Sequence, residues 1–195
     1  MTPEEIRQMR QINFKQTNAF AMQNGMIQGA YSILTLSVFV AGLSTPLLSY
    51  VHLILLLNFP ILACFLTARF RREVSPHFTF SFSRGFSHTL LTVLYAGLWA
   101  GVGTFVYIAF FDNGHIFDLY QAQVSRPEMV QVLETSGMNR QIADATGGKT
   151  IVQLIDELRT ISSGTYAALI VYFHLLSSPL IAILGGVVNI RRPRR

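Results

Sequence analysis

The fold of this chain is decided by residues 43–72, which read LSTPLLSYVHLILLLNFPILACFLTARFRR. The part from 47 to about 68 carries no charged residue, and a helix of that length crosses a hydrocarbon core of roughly 30 Å. An uncharged four-residue turn precedes it, and it is followed by Arg69, Arg71 and Arg72. The stretch therefore predicts a membrane-spanning helix that begins at a short turn and ends at a basic cluster.

Three further runs without charge lie at residues 26–43, about 87–111 and 164–188. The turn at 43–46 is too short to cross a membrane, so the first two runs must form an antiparallel hairpin. Pro60 lies inside the second run and predicts a kink there. Only 13% of all residues are charged, whereas an ordinary soluble domain has roughly a quarter. We therefore predict an all-α membrane protein, a four-helix transmembrane bundle.

The polar segments divide the chain further. Residues 1–24 predict an amphipathic helix with capping-box spacing at Thr2 and Glu5; it would lie along the membrane surface, or else form a solvated tail. Helices 1–3 occupy residues 25–111, with a basic and aromatic connector at 69–86. Residues 112–163 predict an insertion of two or three short amphipathic helices between helices 3 and 4. Residues 164–195 hold the fourth helix and an Arg-rich tail.

The distribution of charge predicts the orientation in the membrane. Cytoplasmic loops are enriched in Lys and Arg. Eleven cations and three acids lie in the N-terminal segment, the connector and the tail, whereas the insertion holds four cations and seven acids. Four crossings place the eleven cations on one side. We therefore expect both termini to be cytoplasmic and the insertion to be an extracytoplasmic amphipathic helical segment.

Several function classes are disfavoured by what the residues lack. The net charge is +5, but the cations flank apolar runs, so binding of nucleic acid is not expected. A single cysteine, Cys64, excludes an intramolecular disulfide. The spans carry no charged residue, which argues against a pump or a transporter that needs an intramembrane carboxylate. No catalytic arrangement is recognisable, so we expect no enzyme, no cofactor and no metal.

Four polar residues in the spans form a candidate intramembrane polar site: Gln28, His52, Asn58 and His174. Two histidines on facing helices can hold haem or a metal. Their depths differ by roughly one helical turn, however, and no further ligands accompany them. The alternative is that each one forms a hydrogen bond with a neighbouring helix.

Small residues mark candidate packing positions at Gly25, Gly29, Gly97, Gly101 and Gly103. Glycine lets transmembrane helices approach closely where lipid supplies no hydrophobic drive. These positions could pack helices within one bundle or form the contact between two copies of the chain.

The connector offers candidate contacts with lipid headgroups at Arg69, Arg71, Arg72 and Arg84. Phe78, Phe80 and Phe82 alternate with small polar residues there, and we expect their rings to enter the headgroup layer. The alternative for the arginines is that they set the orientation of the chain while the rings anchor it.

The connector and the third span also carry a resemblance to a known family. Residues 78–86 read FTFSFSRGF, a glycine-rich span follows, and residues 107–112 read YIAFFD. This order resembles DUF4199, an uncharacterised membrane family of Bacteroidota. The resemblance implies a location in the bacterial inner membrane and no established activity. It also implies a link to a glycosyltransferase of the dolichyl-phosphate mannosyltransferase type, beside whose genes members of the family lie.

Two functions are compatible with these features. The first is a non-enzymatic membrane subunit or scaffold that assembles with an envelope enzyme, for which the resemblance indicates a lipid-linked glycosyltransferase. The second is a small transporter, channel or lipid-handling protein with a polar cavity in the bundle. The expected partners are membrane lipids and either another membrane protein or a second copy of the chain.

Overall fold

The computed structural model describes residues 2–75 and 79–191. Within these ranges the regular structure is helical, apart from one isolated β-bridge. Four helices are long and apolar enough to cross a membrane. They are α1 (Pro3–Ser44), α2 (Pro46–Val74), α3 (Phe82–Tyr107) with a π-helical turn at Ile108–Asp112, and α8 (Ser163–Asn189). The predicted all-α membrane fold with four candidate spans is therefore confirmed.

Four short helices form the insertion instead of two or three. They are α4 (His115–Val124), α5 (Pro127–Thr135), α6 (Met138–Thr146) and α7 (Ile151–Thr160). Gly137 separates α5 from α6, and Gly147 lies between α6 and α7. At both positions the backbone adopts a positive φ, 68° for Gly137 and 72° for Gly147. Such angles strain other residues, so the glycines define where α5 and α6 end.

The N-terminal segment differs from the expectation. The predicted capping box is confirmed, with the Glu5 amide donating to Thr2 Oγ1 at 3.2 Å. No separate helix ends near residue 24, because α1 continues unbroken from Pro3 to Ser44. Around residue 24 the helix packs against the rest of the protein, since Ala21, Asn24 and Gly25 are all buried. The end of the predicted surface helix thus packs against the bundle, whereas Ile6 and Met9 on its apolar face are exposed.

The centre of the bundle is α3, which packs between α1 and α8. A Cβ at Gly25 or Gly29 of α1 would overlap the side chains of Tyr95 and Trp99 of α3. On the other side of α3, a Cβ at Gly186 of α8 would come within 2.6 Å of the Phe82 ring. Small residues therefore let both neighbours approach the backbone of α3.

The segment before α3 and the segment after α8 meet at one end of the bundle, here termed the basic end because it carries Arg69, Arg71, Arg72 and Arg84. The Phe80 amide donates to the Arg191 carbonyl at 3.0 Å, and the Arg191 amide donates to the Phe80 carbonyl at 3.0 Å. The isolated bridge thus ties the segment before α3 to the segment after α8.

The aromatic residues of the connector do not behave alike. Phe80 is 1% exposed, and its ring lies edge-on to Phe70 at a centroid distance of 5.8 Å. The expectation that Phe80 enters the headgroup layer is wrong, because the protein itself covers this ring. Phe82 is exposed. Phe78 and the tail from 192 to 195 lie outside the described residues.

At the opposite end, the insertion is tied to the spans by polar contacts. Gln123 of α4 donates to the Leu43 carbonyl at 2.8 Å, which satisfies a backbone group in the last turn of α1. Within the insertion, Arg159 of α7 pairs with Asp118 of α4 at 2.6 Å. The first contact holds α4 at the end of α1, and the second holds α7 against α4.

Candidate functional site

The spans surround a cavity of about 480 Å³, within the range of roughly 300–1,000 Å³ that is usual for small-molecule sites. All four spanning helices contribute to it, and most of its wall is apolar. Its polar lining residues are Ser32 and Thr35 of α1, His52 of α2, Thr104 of α3, and His174 and Ser177 of α8.

The cavity is open on one side, between α2 and α8. Two of its lining residues are also exposed at the surface of the bundle, Leu56 of α2 at 46% and Phe173 of α8 at 65%. Nearer the basic end the same two helices are joined, because Asn189 of α8 donates to the Cys64 carbonyl of α2 at 3.2 Å. In a bilayer the opening would therefore face lipid chains rather than water.

The two histidines predicted from polarity both line this cavity. His52 Nδ1 lies 3.1 Å from the Thr35 carbonyl, and His174 Nδ1 lies 2.8 Å from the Ile170 carbonyl of its own helix. A carbonyl oxygen only accepts hydrogen bonds, so each Nδ1 carries the hydrogen. Across residues 2–75 and 79–191, neither Nε2 atom has a hydrogen-bond partner.

A glycine holds His174 in place. A Cβ added at Gly97 of α3 would lie 2.6 Å from the His174 Cβ, and the Phe59 ring of α2 lies edge-on to the imidazole at 5.4 Å. Gly97 and Phe59 thus fix the imidazole between α3 and α2, at the wall of the cavity.

The other two members of the predicted polar site lie elsewhere. Gln28 is fully buried and donates to the Phe59 carbonyl at 2.9 Å. Asn58 is exposed and bonds the Ile54 carbonyl of its own helix at 2.8 Å. The four polar residues therefore do not share one site. His52 and His174 line the cavity, Gln28 joins two helices, and Asn58 lies at the surface. The described part of the chain contains no group of three or more His, Cys, Asp or Glu that could hold a metal ion.

Pro60, at which the sequence predicts a kink, lies in the cavity wall. Side chains of α1 bond α2 near it, since Gln28 reaches the Phe59 carbonyl and the Tyr31 hydroxyl donates to the Leu55 carbonyl at 2.7 Å. Proline lacks the amide hydrogen that would bond the carbonyl four residues earlier, here Leu56. The part of α2 where this hydrogen bond is missing is thus held by α1.

A second polar cluster, which we term the His88 network, lies nearer the basic end. His88 is fully buried and stacks on Phe70 at 4.2 Å with an interplanar angle of 7°. Its Nε2 lies 3.1 Å from Asn24 Nδ2, and its Nδ1 lies 2.9 Å from Thr67 Oγ1. An amide nitrogen can only donate, so His88 accepts from Asn24 and donates to Thr67. The network joins α1, α2 and α3.

Sequence reasoning missed His88 because it lies at the very start of the third run. A signal was present, since Gly85, His88, Thr92 and Ala96 recur every three or four residues along α3, the spacing of one helix face. All four are buried. A histidine on the small-residue face of a span is therefore the pattern that indicates such a network.

The predicted headgroup arginines have different surroundings. Arg71 donates to the Asn189 carbonyl at 3.2 Å. Arg84 bonds Gln16, and its guanidinium lies 5.4 Å from the centroid of the Phe70 ring. Arg69 pairs with the exposed Glu73 at 3.0 Å, and Arg72 is exposed. Arg71 and Arg84 thus bind the protein itself, while contact with headgroups stays a prediction for the more exposed Arg69 and Arg72.

The five glycines singled out in the sequence lie against other helices of the same chain. Gly101 of α3 faces Val171 of α8, and a Cβ at Gly103 would come within 2.6 Å of Ile33 of α1. Gly25, Gly29 and Gly97 face other spans in the same way, as described above. A contact between two copies of the chain would therefore have to use other residues.

The comparisons with known proteins give one match. The family model described as "Protein of unknown function (DUF4199)" matches residues 23–187, a range that includes both the cavity and the His88 network. No curated protein and no solved structure matches the chain.

Proposed function

This chain belongs to the DUF4199 family of proteins of unknown function, and we propose that it is a non-enzymatic membrane protein that binds an apolar molecule from the bilayer in the cavity of its spans. One observation carries the proposal: the cavity has mostly apolar walls and opens between α2 and α8 at Leu56 and Phe173. A molecule could enter there without passing through water.

The energetics favour an occupied cavity. The side chains around an empty space lose van der Waals contacts on one side, and a cavity in a packed interior lowers stability by an amount that grows with its volume. A hydrocarbon chain that moves in from the bilayer exchanges one apolar environment for another and restores these contacts. The site therefore fits lipid binding better than passage of ions, which would need many more polar groups along the wall.

Filling the cavity is expected to displace the bound molecule. In Ser177→Phe the larger side chain would occupy the space, whereas in Leu176→Phe the ring would extend into lipid, since Leu176 is 76% exposed. With the protein in nanodiscs, a diazirine-bearing hydrocarbon should label buried Thr104 in the native chain and in Leu176→Phe. Labelling of Thr104 should be largely lost in Ser177→Phe.

Mass spectrometry of the labelled peptides gives the readout, and equal thermal midpoints of the two variants would establish that both are folded. Labelling confined to exposed positions such as Leu176 in the native protein would contradict the proposal, because the probe would then contact only the outer surface of the bundle.

A second candidate function is a subunit or scaffold that assembles with an envelope enzyme such as a lipid-linked glycosyltransferase. It is favoured by apolar side chains that are exposed on the insertion, outside the spans, where lipid does not account for their exposure: Met129, Val132, Met138 and Leu158. Exposed apolar side chains outside the spans favour contact with another protein.

Affinity purification from native membranes in mild detergent tests this second function. We expect one enzyme to co-elute with the native chain at a near-equal amount and to be lost in the Met129→Glu/Val132→Glu variant. The control Ala145→Glu/Gln153→Glu adds the same two negative charges at other exposed positions of the insertion and should retain the enzyme. Recovery of the chain alone from native membranes would count against the subunit role.

We further propose that the protein lies in the bacterial inner membrane with both termini in the cytoplasm. The arginines of the basic end support this orientation, because cations concentrate on the cytoplasmic side. In a Cys64→Ala background, a membrane-impermeant maleimide applied to spheroplasts should label Ala145→Cys in the insertion and should not label Arg72→Cys at the basic end. The reverse pattern would invert the topology.

A further inference from the structure

We infer that the molecule bound in this cavity carries a hydrogen-bond donor, specifically an alcohol hydroxyl, on an otherwise apolar body. The inference rests on the proposed function, since it names the class of ligand that the same site would take. It follows from a count of the hydrogens available on the polar groups that line the cavity.

The serine and threonine hydroxyls have mostly used their hydrogens. Ser32, Thr35 and Ser177 each donate to a carbonyl oxygen of their own helix, at 3.1, 2.9 and 3.3 Å. A hydroxyl has one hydrogen and two lone pairs. Toward the cavity these three side chains therefore have only acceptor capacity left.

The imidazoles add two more acceptors. The Nδ1 atoms of His52 and His174 donate to backbone carbonyls, so in the neutral ring each Nε2 has a lone pair and no hydrogen. In the part of the chain that the structure describes, neither Nε2 atom receives a hydrogen bond. Both residues line the cavity from opposite helices, α2 and α8.

The backbone adds a further hydrogen-bond acceptor. Pro60 supplies no amide hydrogen to the Leu56 carbonyl, and both residues line the cavity. Among the lining hydroxyls only that of Thr104 donates to no acceptor within residues 2–75 and 79–191. The polar atoms of the site thus consist of several acceptors and a single donor.

This imbalance selects among apolar ligands. A molecule whose head only accepts hydrogen bonds, such as an ester, ether or quinone, could bond the Thr104 hydroxyl but would leave the Nε2 atoms of both histidines without a hydrogen. A hydroxyl supplies the missing hydrogen. A cationic head would also donate, but no carboxylate lines the cavity in the described residues to balance its charge. A neutral long-chain alcohol or an acylglycerol with a free hydroxyl fits the site best.

A matched pair of probes tests the inference. Photoreactive dodecanol and its methyl ether carry the same diazirine and differ only in the hydroxyl hydrogen. With the protein in nanodiscs at a pH where imidazole is neutral, labelling of cavity residues should favour the alcohol by about three- to tenfold, the factor expected for one neutral hydrogen bond. This preference should fall toward one in at least one of the variants His52→Phe and His174→Phe, the one that removes the acceptor of the hydroxyl hydrogen. Tyr50→Phe removes a hydroxyl from an exposed position of α2 and should leave the preference unchanged.

The possible results separate the two claims. Equal labelling of the cavity by both probes would overturn the inference and leave the proposed function standing. No labelling of the cavity by either probe would overturn both. A preference for the alcohol that persists undiminished in both histidine variants would also overturn the inference, because the hydroxyl would then bind elsewhere.

Discussion

The His88→Ala variant is expected to lose about 3–5 kcal/mol of stability against unfolding. Removing the imidazole ring of His88 opens a cavity beside Phe70, on which the ring stacks at a centroid distance of 4.2 Å. It also removes one hydrogen-bond partner from each of Asn24 and Thr67, both of which are buried. Unfolding of the purified protein by SDS in mixed micelles measures the difference from the native chain.

Two further variants separate packing from hydrogen bonding. In His88→Phe a ring can still stack on Phe70 but forms neither hydrogen bond, so the expected loss is about 1–3 kcal/mol, from two interhelical bonds of roughly 0.6–1.7 kcal/mol each. Asn24→Ala should also destabilise the protein. Its matched control, Asn58→Ala, should stay within about 0.5 kcal/mol of the native chain, since Asn58 is exposed and bonds only its own helix. A His88→Phe variant as stable as the native chain would show that the network does not hold the helices together.

The Gly25→Ala variant is expected to lose about 1–3 kcal/mol, the usual cost of overpacking a well-packed interface. The added Cβ would overlap the Tyr95 side chain and would lie 3.2 Å from the Thr92 carbonyl and 3.4 Å from the Ala96 amide nitrogen. Backbone atoms cannot rotate away, so α1 would have to move outward from α3. Thermal unfolding in nanodiscs, followed by circular dichroism, measures the loss.

The control for this substitution is Gly164→Ala at the start of α8. There the nearest atom to an added Cβ is Ser162 Oγ at 3.8 Å, and alanine restricts the unfolded chain more than glycine does, so a gain of up to about 1 kcal/mol is expected. The two substitutions should therefore change stability in opposite directions. Equal effects would mean that the close approach of α1 to α3 does not contribute to stability.

The spans could be predicted from sequence because lipid imposes one requirement on every exposed side chain. Uncharged runs of sufficient length, such as 47–68, can therefore be recognised as membrane spans without any knowledge of the helices that surround them. The surroundings of residues 1–24 are harder to predict, for the complementary reason. An amphipathic pattern shows that one face is apolar, but it does not show whether that face meets lipid or protein, and here Thr17, Ala21 and Asn24 are buried.

The candidate site was harder to predict because it depends on how the helices are rotated against one another. Polarity alone identified His52 and His174, which line the cavity, together with Asn58, which faces outward. Nothing in the sequence distinguishes these three asparagine and histidine positions. The cavity is lined by residues of all four spans, and such an arrangement leaves no periodic signal in any one of them.

The single residue Thr45 between α1 and α2 has a consequence for synthesis. Because the two spans are joined so closely, they leave the ribosome in succession and can enter the membrane as one unit. Gln28 and Tyr31 find acceptors on α2, at Phe59 and Leu55, so this pair of helices can satisfy those groups before the rest of the chain is translated. Asn24 instead bonds His88 of α3. Until the third span has been translated, the side chain of Asn24 is therefore incompletely bonded.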